Sequence, residues 1–170
     1  MKRLIHACIV VAAGSAFSAL PADGLAADAS KSGKARDGAI DRGRYLVEIT
    51  GCNDCHTDGY MAAGGKVPES QRLTGSTMGW RGPWGTAYAP NLRLFFQDVT
   101  EEQWLQVARE IQRRPPMPYY SLNAMSDADA RAVYRYIRHL GPAGKPAPSF
   151  VAKDREPPKP YVQFISAPER

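Results

Sequence analysis

The pentapeptide Cys52-Asn53-Asp54-Cys55-His56 constrains this chain more than any other feature. Two thiols lie three positions apart, with an imidazole directly after the second. That spacing is the attachment signature of a c-type haem. Each thiol can add to one vinyl group, and the adjacent histidine then lies under the iron as proximal ligand. Other chemistries fit less well. A thioredoxin-like dithiol sits in a βαβ context, and no strand pattern flanks the motif. A structural zinc needs a fourth ligand and usually a second Cys-x-x-Cys, which the chain lacks. A single motif means a single haem.

The start of the chain supplies supporting context. Residues 1–26 read as a secretory signal peptide. Lys2 and Arg3 give a positive start, Leu4 to Leu20 is largely apolar, and Gly24-Leu25-Ala26 offers small residues for cleavage near Ala26. A retained anchor is the competing reading, but the apolar run is short against a span of about 20 residues. Processing removes His6 and Cys8, leaving Cys52, Cys55, His56 and His139. The expectation is a periplasmic protein with no transmembrane segment after signal removal. Its two remaining thiols are consumed by haem rather than by a disulfide.

The formal charge of +5 and pI near 9.2 are mildly basic, and no Lys/Arg-rich run follows the first residues. Nucleic acid is therefore not an expected partner. Signal removal takes Lys2, Arg3 and Asp23, and a haem adds two propionates, so the basic excess shrinks. What remains suits local steering of an acidic redox partner. With 170 residues, 44% of them hydrophobic and 23% charged, one ordinary globular domain is expected, not a disordered or collagen-like chain.

Three helices are legible. Asp37 to Thr50 runs into the motif with Ile40, Tyr45, Leu46, Val47 and Ile49 as apolar positions, Gly43 where another backbone can approach closely, and Gly51 as its end. A second begins at Thr100, where Gln103 completes a capping box, and carries Trp104, Val107, Ala108 and Ile111 on one stripe until Pro115-Pro116 stop it. A third begins at Ser126, buries Ala132, Val133, Tyr136, Ile137 and Leu140, and closes at Gly141-Pro142. Packing of the third across the first sets Gly43 under Tyr136. Residues 57–99 are Gly-rich and read as irregular chain that a porphyrin can hold in place. The expected organisation is a signal peptide over 1–26, a flexible linker over 27–36, a haem domain over 37–141 and a Pro-rich extension over 142–170. That extension ends in the apolar Tyr161-Val162-Gln163-Phe164-Ile165. Wrapping of this arm around its own domain is favoured over docking on a partner.

A sixth iron ligand has five candidates: Met61, Met78, Met117, Met125 and His139. Met117 is favoured, because Pro116 and Pro118 fix its backbone and limit the entropy lost in presenting it. His139 sits in the last helical turn, where the helix dipole favours a structural role. A thioether ligand gives a higher potential than a second imidazole. Trp80, Arg81, Trp84 and Tyr88 are candidate donors to the propionates, with loop packing as the equal alternative.

These features resemble the class I monohaem cytochromes c of bacterial periplasms. The resemblance rests on the first helix with Gly43, the motif over 52–56, the Met117-Pro118 strap and the last helix, and covers roughly 37–165. Gly85-Thr86-Ala87-Tyr88-Ala89-Pro90-Asn91-Leu92 and Pro116-Met117-Pro118-Tyr119 are similar to phrases in cytochrome subunits and partners of periplasmic dehydrogenases. Related chains often carry Asn-Leu-Thr-Pro-Asp where this one has Asn91-Leu92-Arg93-Leu94-Phe95. The resemblance implies an all-α class I cytochrome c fold, with three to five helices around one covalent haem c and long Gly/Pro-rich loops. It implies His56 and Met117 as axial ligands and a single-electron carrier, not an enzyme. Its redox partner would be a dehydrogenase, an oxidase or another cytochrome. Two other functions stay open: a cytochrome subunit of a periplasmic dehydrogenase complex, and a haem enzyme or gas sensor with an open iron.

Overall fold

The computed structural model of the protein describes residues 23–165. Most of the segment read as a signal peptide, 1–22, lies outside the described residues. Helix α1 (Asp23–Ile49) begins well before the expected start at Asp37 and takes in residues 27–36, read as linker. That stretch, ADASKSGKAR, is rich in good helix formers and has no proline. Residues 34–38 are exposed, so propensity rather than packing accounts for helix there.

Further along, α1 turns Leu46 and Val47 into the core against α6 (Asp127–Leu140). The Ser126 hydroxyl caps α6 by accepting from the Asp129 N–H, and Gly141, at φ +70°, follows its last residue. The two helices meet at Gly43: a Cβ built there would stand 2.0 Å from the Ala132 carbonyl oxygen and 2.6 Å from the Tyr136 Cβ. Only glycine permits this approach. Glu69 ties the crossing from outside, accepting from the Tyr136 hydroxyl and the Arg44 Nε, each at 2.8 Å.

Helix α4 (Glu101–Glu110) starts with the expected capping box of Thr100 and Gln103. It buries Trp104, Leu105 and Ala108, and the Trp104 indole N–H donates to the Ala130 carbonyl at 2.7 Å. The Phe96 ring packs on Trp104, centroids 4.6 Å apart. Helix α5 (Tyr119–Asn123) follows the Pro116-Met117-Pro118 strap.

The all-α expectation of three to five helices is corrected on two counts. The described residues form six α-helices, including the short α2 (Cys52–His56) and α3 (Leu92–Phe95), and a three-stranded sheet. Strands β1 (Gly79–Gly82) and β2 (Gly85–Tyr88) form an antiparallel hairpin, and β3 (Tyr161–Gln163) pairs parallel to β1 on its other edge. Gly79, Gly85 and Thr86 are buried. Their peptide groups therefore need partners, and these include acceptors outside the three strands: the Gly79 N–H donates to the Pro160 carbonyl and the Thr86 N–H to the Val151 carbonyl.

The chain beyond α6 wraps its own domain. The Asn91 amide donates to the carbonyls of Ala143 and Lys145 at 2.8 and 3.1 Å, and Thr86 and Val151 exchange backbone hydrogen bonds at 2.7 and 3.0 Å. Arg93 is buried. Its guanidinium donates to the carbonyls of Leu140, Gly141 and Ser70, so it takes up acceptors that the C-terminal end of α6 leaves open. No helix among the described residues is long and apolar enough to cross a membrane.

Candidate functional site

Gly51, in left-handed backbone at φ +69°, turns the chain from α1 into α2. That sharp turn brings Cys52, Cys55 and His56 to the wall of a cavity of about 370 Å³. The rest of the wall is mostly apolar and comes from every part of the domain: Leu92, Phe95, Phe96, Trp104, Val107, Ile111, Leu122, Val133 and Ile137. Helix α6 and the Met117 strap thus face the haem motif across one space.

His56 is 6% exposed, and its Nδ1 donates to the Pro90 carbonyl at 2.8 Å. A carbonyl only accepts, so Nδ1 carries the hydrogen and Nε2 keeps its lone pair. Burial pushes the imidazole pKa below its ordinary value, which favours the neutral ring. An imidazole held neutral and oriented by a carbonyl on its far nitrogen is prepared as a metal ligand. The loop around it is fixed as well: the Gly75 N–H donates to the His56 carbonyl at 2.8 Å, and the Thr57 hydroxyl bridges Asn53 and the Leu73 N–H.

No disulfide joins Cys52 and Cys55. Burial raises both thiol pKa values. Of the five candidate sixth ligands, Met117 and Met125 line the cavity, whereas Met61, Met78 and His139 do not. Met61 and His139 point to solvent. Met125 also packs against the buried cluster of α1, α4 and α6.

The candidate propionate donors divide. The Trp80 indole nitrogen and the Tyr88 hydroxyl are buried without a hydrogen-bond partner, and both residues line the cavity. Trp84 instead donates to the Trp80 carbonyl at 3.4 Å, and Arg81 is held by the Arg155 carbonyl and Glu156. Two unpartnered donors in an apolar cavity fit a group that brings carboxylates with it. The wall also contains Arg113, Arg114 and Phe150. The arginine pair was visible just before Pro115. Phe150 carried no signal, because only the folding back of the tail brings it there.

A family model described as "Cytochrome C oxidase, cbb3-type, subunit III" matches residues 38–137. The chain belongs to this cytochrome c family. It is also similar to the fructose dehydrogenase cytochrome subunit of Gluconobacter japonicus, 28% identical over 154 residues. That match covers 82% of this chain but 28% of the relative, so the chain spans little more than a quarter of that protein's length. No solved structure matches the chain significantly. The protein is thus a c-type cytochrome whose cofactor is haem c, attached through Cys52 and Cys55, and whose chemistry is electron transfer. The cavity residues fit that cofactor.

Proposed function

We propose that the protein is a periplasmic one-electron carrier of class I cytochrome c fold, with His56 and Met117 as the two axial ligands. One observation carries the reading: the buried His56, oriented by the Pro90 carbonyl, and the proline-flanked Met117 line the same apolar cavity as the two attachment cysteines. The haem, when bound, supplies reversible one-electron exchange at its iron. The Pro90 carbonyl holds His56 in the tautomer that leaves Nε2 available. Pro116 and Pro118 hold Met117 with little loss of chain entropy. Met125 is the rival thioether, but its packing in the core already accounts for its place. Apolar walls limit water at the site, and low polarity with a thioether ligand favours a moderate to high potential.

Exposed Arg113 and Arg114 border the cavity and suit an acidic redox partner: a dehydrogenase, an oxidase or another cytochrome. A second reading, a subunit of a dehydrogenase complex, draws on the likeness to a dehydrogenase cytochrome subunit. Reduced holoprotein mixed with CO tests the ligation. A held Met117 keeps CO off at neutral pH, whereas rapid binding would move the reading to a haem enzyme or gas sensor. Native purification with a haem stain then separates a free carrier from a complex subunit by what co-purifies.

A further inference from the structure

Trp80 sits in the middle of β1, and the C-terminal strand grips the residues on either side of it. The Gly79 N–H donates to the Pro160 carbonyl at 3.0 Å, and the Phe164 N–H donates to the Arg81 carbonyl at 2.7 Å. Phe164 then lays its ring against both indoles, with centroids 6.1 Å from Trp80 and 5.5 Å from Trp84. Arg81 is anchored to the same arm through the Arg155 carbonyl at 2.9 Å and Glu156 at 3.3 Å. The Trp80 carbonyl accepts from Trp84. The backbone, neighbours and ring of Trp80 are therefore contacted from outside the cavity, while its indole N–H is left buried and unpartnered at the cavity wall. Strand β3 itself is short and largely exposed.

We infer that residues 160–164 are a positioning element of the electron-transfer site, with Phe164 as its main residue: the strand clamps Trp80 so that its indole N–H is presented to a haem propionate. This rests on the one-electron-carrier reading above. The indole compensates carboxylate charge close to the iron. With that donor loosened, uncompensated negative charge favours the oxidised state, so the reduction potential falls. The carboxylate also becomes harder to ionise, so the pH-dependent step in the potential moves to higher pH.

The test uses full-length holoprotein and its reduction potential against pH, for wild type, Phe164→Ala, Trp80→Phe and the double variant. A hydrogen bond to a charged group is substantial, and part of it differs between oxidation states, so Trp80→Phe should shift the redox equilibrium roughly threefold to tenfold toward the oxidised form. Tenfold corresponds to 59 mV for one electron. Phe164→Ala should shift it in the same direction by less. The double variant should match Trp80→Phe alone, because Phe164 acts through Trp80. Phe164→Leu, which keeps apolar bulk, should restore most of the wild-type value and serves if the alanine variant does not accumulate. An unchanged potential in Phe164→Ala, or fully additive effects in the double variant, overturns the inference. Wild type without covalent haem or a reversible potential would instead overturn the carrier reading itself.

Discussion

Gly43→Ala is the sharpest test of the packing that holds the haem motif against α6. The new Cβ would stand 2.0 Å from the Ala132 carbonyl oxygen, 2.7 Å from its carbon and 2.6 Å from the Tyr136 Cβ. A tolerable C···O contact is about 3.3 Å, so α1 and α6 must part by about 1 Å. A gap of that size forfeits roughly a quarter to half of each dispersion contact it opens. The interface affected is the one through which Leu46 and Val47 meet Val133, Tyr136 and Ile137, all at most 5% exposed. Overpacking against backbone on this scale costs about 3 kcal/mol. Replacing a helical glycine returns about 1 kcal/mol. The net loss is about 2 kcal/mol, a fall of roughly 4–8 °C in Tm for a chain this size. Gly38→Ala is the control on the same helix, since nothing lies within 4 Å of its added Cβ. It should stabilise by about 0.5–1 kcal/mol. Thermal unfolding of both variants, followed by circular dichroism, decides the matter. A Gly43→Ala protein melting at or above wild type would refute the close crossing.

Three further outcomes are expected. Arg93→Ala strips donors from the Leu140, Gly141 and Ser70 carbonyls and should cost roughly 3 kcal/mol in urea unfolding. Arg93→Lys should recover only part of this, because an ammonium lacks the planar fork. Glu101 is paired with Arg135 and Arg131, which hold its carboxyl below the ordinary value near 4.5. The stabilisation is therefore complete above about pH 4.5 and is lost as pH falls through the depressed folded value. Glu101→Gln should be less stable than wild type at pH 7, and the difference should close in acid; a difference that persisted at low pH would count against the pairing. Truncation after Gly141 removes the Asn91 and Thr86 partners and the Phe150 part of the cavity wall. Its holoprotein should melt below wild type, whereas intact stability would place the role of the arm in docking.

Local signals carried much of this fold. Ser126 and the Thr100–Gln103 pair start helices in the structure as their side-chain chemistry dictates, because a cap is settled within four residues. The place of Gly43 was legible because glycine weakens a helix interior, and a close backbone approach is what offsets that cost. The sheet was not legible. β1 and β2 are four residues each and include Gly79, Gly82 and Gly85, so no alternation of apolar side chains announces them. Their third strand comes from the far end of the chain, and pairing at that separation leaves no local trace. The same reason hides Phe150 from the cavity. The start of α1 is illegible for another reason: the Ala-, Ser- and Lys-rich stretch over 27–36 has no apolar stripe, and its good helix formers carry the helix. Among the candidate site residues, the motif points to His56, while its orientation depends on Pro90, a partner only the fold reveals. Two methionines reach the cavity, and only the proline context had separated them.

That choice of methionine is the centre of the functional reading, and proton NMR of the reduced holoprotein tests it directly. A methionine methyl bound over the porphyrin face is shifted far upfield by the ring current. Ligation by Met117 predicts one such methyl signal in wild type, its loss in Met117→Leu and its retention in Met125→Leu. A signal that survives Met117→Leu and disappears in Met125→Leu would contradict it.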